Sequence, residues 1–286
     1  MEISNSGEKW NSKFFRIINS AMCFGIAYII LIIGDFASKA LMAKMYSIKG
    51  TIYFYGVHYN SEPKEWYQKN SVVIHSSGLV FIFLVSVISW VAYKKTDRFD
   101  TPMRLIFLWT YVIGICIICS QFMTAALGAS DYDSPFAIDF AFAIAWLYIK
   151  PAIAFMLAAV MLIVMAASTF FMITPFLKLA FSYRKVYKLK ARRKFFFEVA
   201  MIPSVIGVLF FTTLIFPEKY IFTLFVQVVY ILVAMIICWY MLFYIDIDYD
   251  AVSRHKSLEK INFFLITTFI LATVLSQTTL LKGIKF

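Results

Sequence analysis

Charged residues are scarce in this sequence. Only 15% of the 286 residues are Asp, Glu, Lys or Arg, whereas 62% are hydrophobic and the mean hydropathy is +0.80. So much apolar surface excludes a single water-soluble core, and several runs exceed the roughly 18 apolar residues needed to span a bilayer. The polar interruptions are too short to form a soluble domain, so we predict one transmembrane domain over residues 1–286.

Metal-binding residue types are equally sparse. The three histidines, His58, His75 and His255, have no ligand spacing, which argues against a three-histidine metal site. The four cysteines all fall within apolar runs. Cys116 and Cys119 share a helix face but have no polar co-ligands, so we interpret them as small packing residues. We therefore expect no cofactor.

The apolar runs predict an all-α polytopic membrane protein with about six to seven transmembrane helices. A β-branched and aromatic stretch bounded by glycines predicts a short strand or hairpin within residues 48–70, after the first helix. Residues 136–148, which include Asp139, are too short for a full span and predict one interfacial helix. The predicted spans are residues 15–45, 72–93, 103–127, 152–177, 195–216, 220–245 and 261–281.

Lysine and arginine are distributed unevenly between the two sets of loops. Of the 27, 18 fall in one alternating set, which by the positive-inside rule places the N-terminus in the cytoplasm. This topology explains the net charge of +11 without nucleic acid binding. The most basic stretch predicts contact with anionic lipid or with a partner through Arg184, Lys185, Lys188, Lys190, Arg192, Arg193 and Lys194.

Asp35 and Lys39 lie four residues apart inside the apolar first helix, on one face and with the acid first. Either charge alone would be costly in hydrocarbon, so we expect them to satisfy one another. Three interpretations remain open: a structural ion pair, a proton or ion relay, and the remnant of a catalytic site. The possible neighbours are His75, Asp131 and Gln121.

The run Asp35-Phe36-Ala37-Ser38-Lys39-Ala40-Leu41 and the strand after it resemble the H-E-x-x-H-A-L segment of the site-2-type intramembrane zinc metalloproteases. In that family the next helix opens with a small-residue turn, and Ser76-Ser77-Gly78 takes the equivalent place. The resemblance covers about residues 30–91, close to a quarter of the chain.

The resemblance implies that the zinc site has been lost. The two histidine positions hold Asp35 and Lys39, and the glutamate position holds Phe36, so neither two imidazoles nor a general base is present. The candidate for the family's third ligand is Asp131. We therefore predict a non-catalytic relative in a bacterial inner membrane that acts as a scaffold or binds another membrane protein. The alternative is a small transporter or proton-linked permease that uses Asp35 and Lys39.

Overall fold

The computed structural model describes residues 4–53, 56–96, 101–129, 134–137, 139–180, 186–214, 221–245 and 257–286. Six helices within these residues are long and apolar enough to cross a membrane, since about 20 residues match a hydrocarbon core of roughly 30 Å. The predicted all-α polytopic membrane fold is confirmed. The six candidate spans are Ser12–Met45, Gln68–Lys95, Pro102–Gly128, Pro151–Lys178, Leu224–Tyr244 and Phe263–Leu281.

Local capping signals set several helix ends. Pro151 begins α5, where the missing N–H costs no hydrogen bond. Asn262 caps α9 by accepting a hydrogen bond from the Leu265 amide at 3.2 Å. The helices are α1 (Ser4–Met45), α2 (Gln68–Lys95), α3 (Thr101–Gly128), α4 (Phe140–Trp146), α5 (Pro151–Lys178), α6 (Leu189–Phe196), α7 (Ile202–Leu214), α8 (Ile221–Met241) and α9 (Phe263–Leu281).

The predicted fifth span differs in form from the six helices above. A π-helical turn, Phe197–Met201, joins α6 to α7, so the helical run is unbroken from one to the other. This run lies along α1, because Glu198 pairs with Arg16 and Gly207 packs against Phe24. A Cβ atom on Gly207 would lie 2.2 Å from the Phe24 ring, so glycine permits this close approach.

Helix α3 forms the centre of the bundle. Its side chains Leu105, Trp109, Ile113 and Ile117 are completely buried. In contrast, α5 and α9 leave large apolar side chains exposed along their length. Such exposure suits a lipid environment, in which helices associate through close packing because the lipid tails are as apolar as the side chains.

A small antiparallel sheet closes one end of the bundle, in the order β2-β1-β3. Its strands are β1 (Gly50–Tyr53), β2 (Gly56–Tyr59) and β3 (Ile284–Lys285). The predicted hairpin after the first helix is thus present as β1 and β2, and β3 follows α9. The sheet therefore gathers the ends of α1 and α9 at one place, which we name the sheet end. The opposite end, which holds Arg16 and α6, we name the basic end.

The predicted interfacial segment contains α4, a helix of seven residues that is about 10 Å long. It packs on α2 and α3 with Ala141 and Ala143 buried, and Gln68 Nε2 donates to the Trp146 carbonyl at 3.0 Å. Small alanine side chains allow this close packing. As a result Asp139, immediately before α4, is brought to the sheet end.

The turn predicted at Ser76-Ser77-Gly78 is wrong. These residues lie more than two turns inside α2, which begins at Gln68. The Ser76 and Ser77 hydroxyls donate to the Val72 and Ile74 carbonyls of the same helix, so their polar groups are satisfied without a turn.

Candidate functional site

Asp35 and Lys39 form the buried ion pair that their spacing predicts. Lys39 Nζ donates to Asp35 Oδ2 at 2.9 Å. Asp35 is only 4% exposed and Lys39 only 1%. Both residues lie near the sheet end of α1, one helical turn apart, so the pair needs no other element to form.

A second carboxylate completes the site. Asp139 Oδ1 lies 3.0 Å from Lys39 Nζ, so a single ammonium lies between carboxylates from α1 and from the residue before α4. We name Asp35, Lys39 and Asp139 the acid–lysine cluster. The cluster holds two carboxylates and one ammonium. It joins α1 to α4, which are about 100 residues apart in sequence.

Asp139 differs from Asp35 in both exposure and backbone. Its side chain is 34% exposed, so the cluster meets the protein surface there. Its φ of 51° is in the region that favours glycine, so the backbone of Asp139 is strained. The contacts around a strained residue hold it in that conformation. Burial raises the pKa of Asp139, but the Lys39 ammonium, helped by His75, outweighs this effect and lowers the pKa below its ordinary value.

Helix α2 contacts the cluster through Gly78. A Cβ atom on Gly78 would lie 1.7 Å from Asp35 Oδ1 and 2.7 Å from Lys39 Cε. Asp35 Oδ1 is buried and accepts no hydrogen bond from the residues that the structure describes. The Asp35 carboxylate is therefore satisfied on one oxygen only, and its other oxygen faces the α2 backbone.

The three predicted neighbours have different outcomes. His75 stacks on Trp66 with ring centroids 5.6 Å apart and also lies against Tyr59 and Phe142. Neither His75 nor the buried Gln121 forms a hydrogen bond or ion pair with Asp35 or Lys39 in the described part of the chain. The third predicted neighbour, Asp131, lies outside the described residues.

A zinc ion, as bound by the site-2-type metalloproteases that this segment resembles, does not fit the acid–lysine cluster. Asp35 and Asp139 both face the Lys39 ammonium, which would repel a metal cation. Phe36, at the general-base position, is buried and apolar. Within the described ranges, no three His, Cys, Asp or Glu side chains lie together as a metal-binding group.

A second buried ion network, which none of the sequence predictions includes, lies at the basic end. Arg16 donates through Nε and Nη2 to Glu198 Oε2 at 3.1 and 2.5 Å, and through Nη1 to Glu259 Oε1 at 3.1 Å. Glu198 lies in the π-helical turn and is 2% exposed. The sequence does contain a signal for this network. Glu198 is a single acid within the apolar predicted span 195–216, and a buried acid needs a cationic partner.

The polar residues beside this network extend it across the bundle. Asn19 Nδ2 donates to the Leu258 and Lys260 carbonyls, and Ser20 accepts a hydrogen bond from Trp109 Nε1 at 3.0 Å. The network thus ties α1 to α3, to the π-helical turn and to the segment before α9. Its position at the opposite end of α1 from the acid–lysine cluster means that both ends of this helix are fixed by buried charges.

The basic segment has two faces. Lys188, Lys190 and Lys194 are exposed and Arg193 is half-buried. The predicted contact of Arg192 with anionic lipid or a partner is wrong, because this residue is 7% exposed and donates to the carbonyls of Val186, Tyr187, Leu242 and Ile245. Arg184 and Lys185 lie outside the described residues.

Comparisons of the chain with protein-family models, with curated proteins and with solved structures found no match.

Proposed function

We propose that this integral membrane protein is a non-catalytic scaffold that binds another membrane protein, in a bacterial inner membrane with its N-terminus in the cytoplasm. The observation that carries the proposal is the Lys39 ammonium, which is held by Asp35 and Asp139 at 2.9 and 3.0 Å. A cation fixed by two carboxylates suits the joining of helices. It does not suit the binding of a metal or the activation of water.

The acid–lysine cluster supports a structural role because two of its contacts join α1 to other elements. Lys39 binds Asp139 at the start of α4, and Asp35 lies against Gly78 of α2. Charges left without partners inside a membrane protein are costly, so this arrangement favours a single packing of the three elements. A rigid bundle is what a scaffold requires.

The partner surface that we propose is the exposed apolar face of α5. Met156, Ile163 and Phe171 on this helix are 65–69% exposed, and only 28% of the most apolar stretch of α5 is buried inside the protein. In the bilayer such a face contacts either lipid or a helix of another protein. The neighbouring Met165 is completely buried and provides a matched internal position.

Site-specific photocrosslinking tests the scaffold directly. A photoreactive residue at position 163 should give one discrete adduct of higher mass in native membranes, whereas the same residue at position 165 should give none. Purified protein in liposomes should also give none from position 163, which separates a partner from a second copy of this chain. Diffuse lipid labelling alone from position 163 would contradict the proposal.

The second candidate is a proton-linked permease, which one observation favours. The cluster has two carboxylates for one ammonium, and Asp35 Oδ1 accepts no hydrogen bond within the described ranges. A carboxyl with a spare oxygen can carry a proton, and Asp139 is 34% exposed at the surface. The two functions make opposite predictions for proton movement.

Proteoliposomes that contain a pH-sensitive dye distinguish the two candidates. A scaffold should give the same proton flux under an imposed gradient as protein-free liposomes, and Asp35→Asn should change nothing. A permease should give a flux that Asp35→Asn abolishes, because the amide cannot exchange the proton. The second result would overturn the scaffold proposal.

A further inference from the structure

At the basic end, a cleft between α6 and α8 combines cationic and aromatic side chains. Its volume is about 460 Å³, within the range of roughly 300–1,000 Å³ that small-molecule sites occupy. Lys190, Arg193 and Lys194 lie on one face of α6, at spacings of three and four residues. The cleft is lined by Leu189, Lys190, Arg193, Lys194, Phe197 and Trp239.

Arg193 is held in position by aromatic rings. Its guanidinium carbon lies 4.0 Å from the Phe243 ring centroid and 5.6 Å from that of Trp239. Its Nε is buried and donates to no acceptor in the described part of the chain. The planar guanidinium is therefore fixed by stacking. Its two terminal nitrogens donate to no acceptor among the described residues and are the donors left for a phosphate group.

The neighbouring Arg192 shows that not every basic residue of α6 is available to a ligand. Arg192 lies on the opposite face with Phe195 and Phe196, and backbone carbonyls accept hydrogen bonds from its Nε, Nη1 and Nη2. No carboxylate among the described residues pairs with Lys190, Arg193 or Lys194. One face of α6 thus stabilises the fold, and the other presents three cations without anions.

The apolar side of the cleft identifies the kind of ligand. Phe197 and Trp239 pack together with centroids 5.8 Å apart, and Phe197 is 43% exposed. Tyr240 in the last turn of α8 and Tyr244 just after that helix are also exposed, and exposed tyrosines are typical of the membrane interface. A ligand that satisfies both sides has an anionic phosphate head and an apolar chain.

We propose that the cleft between α6 and α8 is a specific binding site for one anionic phospholipid. Lys190, Arg193 and Lys194 bind its phosphate, and the first part of an acyl chain lies against Phe197 and Trp239. The site does not depend on the scaffold function proposed above. It goes beyond general attraction of a basic segment to the membrane, because it assigns the contact to three side chains and excludes Arg192.

Native mass spectrometry of delipidated full-length protein tests this site. Phosphatidylglycerol should give one retained adduct, and phosphatidylcholine should bind much more weakly. Each Lys or Arg near the surface contributes about a fivefold gain in affinity for anionic lipid, so Arg193→Gln should weaken binding by about fivefold or more. The combined Lys190→Gln, Arg193→Gln and Lys194→Gln variant should weaken it on the order of a hundredfold.

Lys188→Gln is the matched control. It removes the same charge from an exposed residue beside α6 that does not line the cleft, so its effect should be clearly smaller than that of Arg193→Gln. Equal losses in the two variants would overturn the proposal in favour of diffuse attraction. Displacement of the lipid by millimolar inorganic phosphate would also overturn it, in favour of a site for free phosphate.

Fluorescence in intact bilayers keeps the proposal testable if a variant folds poorly. Phosphatidylglycerol with brominated chains should quench Trp239, and the quenching difference between the normal protein and Trp239→Phe should exceed that with brominated phosphatidylcholine. Equal quenching by the two lipids would contradict a specific anionic lipid.

Discussion

Gly78 lies so close to Asp35 that a Cβ atom at position 78 would be 1.7 Å from Asp35 Oδ1. Two helices therefore meet at a carboxylate, and the glycine is what makes room for it. The same missing side chain leaves space for Lys39, whose Cε would be 2.7 Å from that atom. The acid–lysine cluster therefore fits against α2 only because position 78 has no side chain.

Replacing Gly78 by alanine should destabilise the protein. The added methyl group must displace a buried carboxylate, and overpacking of this kind costs about 1–3 kcal/mol. We expect a lower unfolding midpoint in detergent, measured by circular dichroism. The control is Ser77→Ala, because the Ser77 hydroxyl donates only within α2 and its loss should be nearly neutral. Equal midpoints for Gly78→Ala and the normal protein would show that α2 moves away easily.

Lys39→Met should be more damaging than the loss of either acid. It leaves the carboxylates of Asp35 and Asp139 close together without a cation, and removing one partner of a buried ion pair costs about 3–5 kcal/mol. Adding Asp35→Asn and Asp139→Asn should restore part of the lost stability, because the orphaned charges are then gone. Unfolding by SDS in mixed micelles measures each step. If the added substitutions only lower stability further, repulsion between the two acids is not the cause.

Exchange of the paired charges should fail unless Asp139 is changed as well. The double variant Asp35→Lys, Lys39→Asp keeps the ion pair within α1 but sets carboxylates at positions 39 and 139 against one another. We expect low stability in this variant and partial recovery when Asp139→Asn is added. Full recovery by the exchange alone would mean that Asp139 contributes little to the cluster.

The stabilising effect of Asp139 should disappear in acid. A carboxyl whose pKa is lowered by folding stabilises the folded state above its ordinary pKa, about 3.9, and loses this effect as the pH falls through its lowered value. The difference in unfolding midpoint between the normal protein and Asp139→Asn should therefore be largest near neutral pH and shrink below about pH 4. Asparagine has nearly the same size and shape as aspartate, so both side chains meet the same backbone conformation and the comparison isolates the charge.

Glu62→Gln serves as the control for this pH series. Glu62 pairs with Lys64, but both side chains are more than two-thirds exposed, and such pairs contribute little to stability. Its difference from the normal protein should stay near zero at every pH. An Asp139→Asn difference that grew in acid would contradict the lowered pKa.

The long helices were predictable from the sequence because their signal is local. A run of about 20 apolar residues has few alternatives in a membrane, and the i, i+4 spacing of Asp35 and Lys39 fixes their contact within one helix. The predicted second span begins at residue 72, four residues after the true start of α2, because residues 68–71 are polar and carry no apolar signal. The turn predicted at Ser76-Ser77-Gly78 is wrong because serine can also satisfy its hydroxyl inside a helix. In the structure the serine hydroxyls bond back to their own helix.

The contacts between elements were not predictable in the same way. Nothing local links Lys39 to Asp139, whose approach depends on how α4 packs on α2 and α3. Arg192 is different, because its burial had a local signal. It lies three and four residues before Phe195 and Phe196, on the apolar face of α6, whereas the prediction treated the basic run as one surface.

Arg16→Gln should destabilise the protein strongly, because it leaves the buried Glu198 carboxylate without its cation. Glu198 is 2% exposed, so we expect a loss of about 3–5 kcal/mol. Glu259→Gln should cost only about 1 kcal/mol, because Glu259 is the more exposed of the two acids that bind Arg16. Adding Glu198→Gln to Arg16→Gln should recover part of the loss, measured by SDS unfolding in mixed micelles. Equal costs for Arg16→Gln and Glu259→Gln, with no recovery in the double variant, would mean that Glu198 is not held by Arg16 in the membrane.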